Sequence, residues 1–441
     1  MKGVLRILVA CLCLAAAACT SVPRTADGRV VPDRVLGVYR LYPDCTVPPP
    51  DAPDGYKPFY ISHYGRHGSR FLLEEAQYRG VRDVLVRAAA DGKLTADGKR
   101  ACGELLGFWP QLEGRAGCLT QVGADQHRAI ARRMADRARD VFASNGVVKA
   151  STSATSRTKE SMEAFCGALR ECFPDLRIEQ TTNAALNPYS AASGIPTADD
   201  LKVKSPEAEW RPEFDRFCRK RLDTQGFLRG VFTDADYAAG LCDPVAFERD
   251  FFYLAIHFAG CGADIDWLRL FTLDELEALA ECDAYVFYQE KGPSDRTSDR
   301  TWALAAHILR GMLEDAGEGV AGVRAADLRF GHDGCIMSLL TLFGAEGWTE
   351  RTAEPDEAAR MWDVSRIPMA CNLQWIFYRP VSGCGEILVR LLLNEEPLRL
   401  PVSDATGLCP WPAMKRYLEE RCAAAFAILH EDGSTDTRNN F

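Results

Sequence analysis

Two short stretches of this 441-residue chain carry residue types that could do chemistry together. In Arg66-His67-Gly68-Ser69-Arg70, two guanidiniums stand on either side of an imidazole. A tight loop of that kind suits a tetrahedral dianion, gripped by the arginines while a histidine nitrogen points at its centre. Taken alone, the same residues also fit an exposed basic turn with a solvated His67. Far along the chain, Gly331-His332-Asp333-Gly334 sets a second imidazole beside a carboxyl, again between glycines.

Both stretches need elements to position them. The β-formers Phe59, Tyr60 and Ile61 lead into the first loop, and from Glu74 onward Ala76, Val81, Val84, Leu85 and Ala88 recur at helical spacing. The expected order is strand, glycine-containing loop, helix. Thr120 suits the N-cap of a helix reaching Ala138, and residues 147–151 read as a second strand that runs into a helix over about 155–169. A strand at 327–330 meets the second glycine-flanked histidine, and the apolar run 336–343 reads as a buried helix. Residues 375–378 and 387–393 are β-rich, and 411–425 closes the chain as a helix.

Strands alternating with helices at both ends predict an α/β fold, a three-layer α/β/α sandwich with functional loops at the carboxyl ends of the strands. The middle is helix-rich with no clear strand alternation, and suggests an inserted, mainly helical cap subdomain over 180–315. The expected division is a signal peptide at 1–18, a linker rich in Pro, Asp and Gly at 19–55, the α/β domain over 56–179 and 316–430, and a loose tail at 431–441. The tandem Ser-Asp-Arg-Thr at 294–301 is too short to be an architectural repeat.

Composition narrows the function classes. With 47% hydrophobic and 26% charged residues the chain is a folded globular one. Its 52 Lys plus Arg against 62 Asp plus Glu give a net charge of -10, which argues against nucleic acid and leaves any anion to a local pocket. Lys2 and Arg6, an apolar run at 7–14, then Ala15 to Ala18 and Cys19 follow the order of a secretory signal. The small residues before Cys19 are similar to a bacterial lipobox, which makes Cys19 a lipidation candidate, with ordinary signal cleavage as the alternative. Export to the periplasm, or to the outer membrane as a bacterial lipoprotein, is the expectation. Of 17 cysteines, Cys11, Cys13 and Cys19 belong to that segment, and the remaining 14 are an even number that could pair as disulfides in an oxidising compartment. They are scattered singly, without CxxC or histidines at ligand spacing, so no zinc site is expected.

With these stretches in view, the chain resembles the histidine acid phosphatases, which include phytases, glucose-1-phosphatases and multiple inositol polyphosphate phosphatases. Beside the Arg-His-Gly-x-Arg loop, Leu119-Thr120-Gln121-Val122-Gly123-Ala124-Asp125-Gln126 is similar to the family's Leu-Thr-x-x-Gly-x-x-Gln helix start. Residues 151–161, with Arg157, Thr158 and Ser161, look like the segment that supplies a third phosphate-binding arginine, and His332-Asp333 matches the distal pair. The resemblance covers most of 58–430 and is weakest in the middle. It implies that His67 is the nucleophile that forms a phosphohistidine, that Arg66, Arg70, Arg157 and His332 bind the phosphoryl oxygens, and that Asp333 is the general acid. It implies no metal and no other cofactor, a small phosphomonoester such as an inositol phosphate or sugar phosphate as substrate, and an acidic optimum.

Phe71-Leu72 departs from the family's Arg-x-Pro, and Tyr64-Gly65 replaces its usual apolar strand end. The inositol polyphosphate phosphatases typically carry His-Ala-Glu where this chain has His332-Asp333, which disfavours that subfamily. Arg157 and His332 could instead be structural, and His127 is read as structural. The run Arg216, Arg219, Lys220, Arg221 could recognise a multiply charged substrate or form a solvated helix face. Two alternatives remain at this stage, a catalytically silent phosphate-binding lipoprotein and a phosphomutase. Oligomeric state is not legible.

Overall fold

A computed structural model describes residues 23–43, 50–144, 146–195 and 200–430. The signal segment with Cys19, together with Cys45 and the tail from 431, lies outside the described residues. The core is an eight-stranded sheet: β1 Tyr56–Arg66, β2 Val148–Thr152, β3 Ile178–Thr182, β4 Ala326–Gly331, β5 Asn372–Pro380, β6 Leu388–Leu393, β7 Glu396–Pro397 and β8 Leu408–Pro410. The strand order is β3-β2-β4-β1-β5-β6-β7, with β8 also paired to β6. β1, β2, β3 and β4 run parallel, and β5 and β6 continue the sheet antiparallel.

Period-two alternation divides the side chains between two helical layers. Tyr60, Tyr64, Trp375, Phe377 and Leu391 share one cluster with the helices Ala306–Val320, Asp333–Phe343 and Trp411–His430. Ile61, Val148, Ala150, Leu328 and Phe330 pack in a second cluster with Gln121–Arg137 and Ser156–Cys172. The fold is therefore a mixed α/β sandwich with three layers. The two buried tyrosines of β1 each have an acceptor for the hydroxyl: Tyr60 donates to Asp327 Oδ2 at 2.7 Å and Tyr64 to the Leu186 carbonyl at 2.6 Å. The Tyr64-Gly65 departure has a steric origin, since a Cβ at Gly65 would lie 2.7 Å from His63 Cε1.

Between β3 and β4 the described residues form no named strand, and the helices Arg211–Arg221, Thr224–Val231, Pro244–His257 and Leu273–Lys291 pack into a helical region whose core is continuous with that of the sheet. Its centre is aromatic, with Phe227 stacked on Phe271 at 4.8 Å and Phe251 on Trp267 at 4.2 Å. The helix Ala306–Val320 then returns to the sheet.

Three features depart from the sequence reading. The helix Ala96–Leu112 and the short strand β3 had no distinct sequence signal. The stretch read as a linker contains a 3-10 segment at Asp33–Tyr39 whose Val35 and Val38 are buried in the main core, so the arm is part of the fold. Seven residues are too few for a helical period to show. The expected disulfides are absent among the described residues: all thirteen described cysteines are free, and most are buried. Buried thiols here fill apolar space as small side chains, which is a sufficient reason for a cysteine without a bond.

Candidate active site

β1 and β4 are parallel neighbours in register, Arg66 opposite Gly331, so both glycine-flanked histidines emerge side by side at the carboxyl ends of two central strands. The loop leaving β1 is fixed by its own backbone. His67 N–H donates to the Gly331 carbonyl at 3.0 Å, and Ala370 N–H donates to the His67 carbonyl at 3.0 Å. Nδ1 of His67 lies 2.8 Å from the Gly68 carbonyl. A carbonyl only accepts, so Nδ1 carries the proton and Nε2 keeps its lone pair, as an attacking nitrogen must.

The helix start at Thr120 braces this loop. The Thr120 side chain accepts from Gly123 N–H at 3.1 Å as an N-cap, and its hydroxyl reaches the Ser69 carbonyl at 3.0 Å. Gln126 Oε1 accepts from Ser69 N–H at 2.9 Å, and Ser161 Oγ accepts from Gly68 N–H at 3.1 Å. Gly68 and Gly123 bring their backbones together so closely that a Cβ on either would collide with the other segment. The Leu-Thr-x-x-Gly-x-x-Gln pattern is thus a support for the His67 loop, with the glycine set by close approach.

Five further side chains converge on His67. Arg66 is fully buried: Nη1 donates to the carbonyls of Val38 and Ile367, and Nη2 lies 2.8 Å from Asp333 Oδ2. Arg70 donates to the Phe71 carbonyl at 2.9 Å. Arg157, in the first turn of Ser156–Cys172, is half-buried. Nε of Arg66, Arg70 and Arg157 has no partner. His332 is the N-cap of the helix Asp333–Phe343 and its ring stands 5.6 Å from that of His67. Ser153 Oγ lies 3.1 Å from His332 Nε2, and Asp333 Oδ1 accepts from Gly334 N–H at 2.7 Å. The structure therefore gathers all six residues singled out by motif: His67, Asp333, Arg66, Arg70, Arg157 and His332.

The charges act on one another. Burial, then Arg157 and Arg66, hold His67 well below its ordinary value, so the imidazole is neutral. His332 is pushed down to about 3 by burial and then Arg157, while Arg157 itself is lowered to about 10 by burial and then Arg70. Burial works to raise the Asp333 carboxyl, but Arg66, His332, Arg70 and the Gly334 N–H together outweigh it and hold the group well below the usual carboxylate range. Three guanidiniums thus face one carboxylate, at the N-terminus of a helix of 11 residues. The excess is cationic and suits a dianion.

Two residues beside the cluster carried no motif signal. The Arg70 guanidinium lies 5.6 Å from the Tyr39 ring centroid, and Tyr39 packs on His257 at 4.2 Å. His257 Nδ1 lies 2.7 Å from the Tyr253 carbonyl. Tyr39 comes from the arm and His257 from a cap helix, so nothing in local sequence marked either. His127 instead packs edge-on against Phe165 and Phe330 in the second core cluster, and burial lowers it to about 3. In the basic run, Arg216, Lys220 and Arg221 pair with Glu213, Asp356 and Glu281 respectively, as expected of a solvated face. Among the described residues no group of three or more His, Cys, Asp or Glu is arranged to hold a metal ion, and no helix is long and apolar enough to cross a membrane.

No protein-family model matches the chain, and no curated protein matches it in sequence. Solved structures do match. The Bifidobacterium longum multiple inositol polyphosphate phosphatase in complex with phosphate superposes with a TM-score of 0.72 at 21% identity, covering 87% of this chain and 97% of that one. The phytase from D. castellii gives 0.64 at 14% identity, covering 89% and 85%. The Hafnia alvei phytase gives 0.51 at 15%, covering 85% and 99%. The fold is that of these phosphatases. Both the phytases and the subfamily disfavoured by His332-Asp333 appear among the matches, so overall architecture does not separate them.

Proposed function

We propose that this chain is an exported histidine acid phosphatase that hydrolyses phosphate monoesters through a covalent phosphohistidine. The observation that carries this reading is the His67 tautomer, Nδ1–H on the Gly68 carbonyl and Nε2 unprotonated, inside a ring of three arginines. In the first step Nε2 attacks phosphorus in line with the leaving oxygen. Arg66, Arg70 and Arg157 neutralise the equatorial oxygens, and with Ser153 donating to Nε2, His332 donates from Nδ1. Asp333 gives a proton to the leaving alcohol, then takes one from the water that attacks the phosphohistidine, and phosphate leaves with His67 neutral again.

Export is supported by the basic, apolar and small-residue order that ends at Cys19. A Cys19→Ser variant is expected to leave the membrane fraction and to lose incorporation of labelled palmitate.

The deciding experiment follows phosphate release from p-nitrophenyl phosphate, glucose-1-phosphate and phytate over pH 3 to 8, with EDTA, for wild type and His67→Ala. Acid-quenched wild type is also probed for labelled phosphate on histidine. Release that survives the chelator and disappears with His67→Ala is the expected result. Tight phosphate binding with no release from any substrate would replace the proposal with a silent phosphate-binding protein.

A further inference from the structure

In the aromatic centre of the cap a carboxyl is buried without a partner. Glu248, in the helix Pro244–His257, is 0% exposed, and neither Oε1 nor Oε2 makes a hydrogen bond. Phe247, the residue before it, lies 6.2 Å from Phe227 and 5.7 Å from Phe232. Phe252, one turn on, lies 6.2 Å from Phe271. In such surroundings an isolated carboxylate is far costlier than the neutral acid.

Neighbouring charge does not offset that cost. The fields that reach Glu248 come from Glu275 in the first turn of Leu273–Lys291 and from Asp223, the N-cap of Thr224–Val231, and both are negative. Backbone donors fix them in place: Glu275 accepts from Thr272 N–H at 2.6 Å and Asp223 from Gly226 N–H at 3.0 Å. Cations on this helix and on the segments packed around it are engaged elsewhere. Arg249 donates to the Tyr253 hydroxyl at 3.3 Å, Arg269 pairs with Glu104 at 3.2 Å, and Arg34 pairs with Glu277. On the facing helix Glu75–Ala90, Gln77 donates to Asp250 at 3.2 Å. Burial, then Glu275 and Asp223, push the Glu248 carboxyl up to about 8, so at neutral pH it keeps its proton.

The same helix ends at His257, whose ring packs on Tyr39 at 4.2 Å, and the Arg70 guanidinium lies 5.6 Å from the Tyr39 ring centroid. Any loosening of the helix therefore reaches the arm and Arg70. We propose that Glu248 is a pH-sensitive latch of the cap: as the neutral acid it lets the helix Pro244–His257 pack, and on losing its proton it loosens that helix and the arm against it. The latch does not depend on the phosphatase chemistry. In the unfolded chain the carboxyl ionises near the ordinary value of 4.5, but in the folded chain only near about 8. Its contribution to stability is therefore full below the first value and is lost as pH rises to the second.

Urea unfolding of wild type, Glu248→Gln and Glu248→Met at pH 5 and pH 8 tests the latch. Between those pH values the folding equilibrium constant of wild type is expected to fall roughly a hundredfold more than that of either variant, which has no proton to lose there. Asp283, which burial raises to about 6, is present in all three chains and cancels in the comparison. Equal falls in the three chains overturn the proposal. Hydrogen exchange locates the effect: from pH 5 to pH 8 the amides of residues 244–257 are expected to lose protection in wild type relative to Glu248→Gln, and a ratio that does not change with pH overturns the latch. If neither variant folds, the infrared spectrum of wild type carrying isotope-labelled glutamate decides. A protonated glutamate carbonyl stretch at pH 7 that disappears in alkali is the expected result, and its absence at pH 7 overturns the proposal.

Discussion

In the proposed mechanism Asp333 is the general acid, yet its pairing with Arg66 at 2.8 Å holds it as a carboxylate. The proton it passes on must then arrive with the substrate. A phosphate monoester loses its last proton at a pKa of about 6. Below that pH the monoanion brings a proton that Asp333 can take as Arg66 turns to the incoming phosphoryl group. Above it, the dianion meets an ionised Asp333 and no proton is available. We therefore expect kcat/KM to fall as pH rises through about 6, while burial and the arginines, which hold His67 well below its ordinary value, move the acidic limb to lower pH, and a pH-rate profile from 3 to 8 checks both limbs. Asp333→Asn should lower kcat by about 10²–10⁴-fold for alkyl phosphates. The loss should be much smaller for p-nitrophenyl phosphate, whose leaving group hardly needs protonation. Equal losses for both substrates would show that Asp333 acts only through its pairing with Arg66. At this scale the legible residues were those in contiguous motifs, while Tyr39 and His257 were not legible as neighbours of the site, because each reaches it by tertiary contact, and the helical pattern that ends near His257 says nothing of what its last turn packs against.

Among the elements, Thr120 illustrates what short-range sequence can and cannot say. Its N-cap role was readable from type and position, and the helix Gln121–Arg137 begins there. Its second bond, to the Ser69 carbonyl, depends on a loop 51 residues away. Replacing Thr120 by valine should cost about 1–2 kcal/mol of stability from the lost cap, measured by urea unfolding, and should lower kcat only modestly, because Gln126, Ser161 and the Thr120 backbone N–H still hold the His67 loop. Gly123→Ala forces a Cβ onto the backbone of Ser69 and Gly68. It should destabilise by about 1–3 kcal/mol and reduce turnover more than Thr120→Val. The strands flanking the site, β1 and β4, were legible because β-formers run straight into glycine. The five-residue β3 and the Asp33–Tyr39 turn were not, since edge strands and single turns gain their stability from neighbours and not from their own pattern.

For the whole molecule, an α/β sandwich with a helical insertion was legible from the alternation of elements at the two ends of the chain. The cysteines misled, because even parity says nothing about distance. With all thirteen described thiols free, the urea unfolding midpoint and the turnover of the protein should be insensitive to dithiothreitol. A midpoint that drops with reductant would reveal cross-links that this arrangement of the chain does not contain.

The placement of β4 between β2 and β1 bears on how the molecule comes into being. Tyr60 and Asp327 hydrogen-bond across 267 positions of chain, so the sheet's centre closes only after the insertion has been synthesised. Contacts of such high sequence separation form slowly, because chain entropy is lost before they are rewarded. The nucleophile and all three arginines leave the ribosome long before His332 and Asp333. Until β4 pairs with both β1 and β2, the sheet does not set the His67 loop beside the segment of Arg157, so an incompletely folded chain has neither the phosphate grip nor the proton donor, and enzymatic activity should return in step with the slowest phase of refolding.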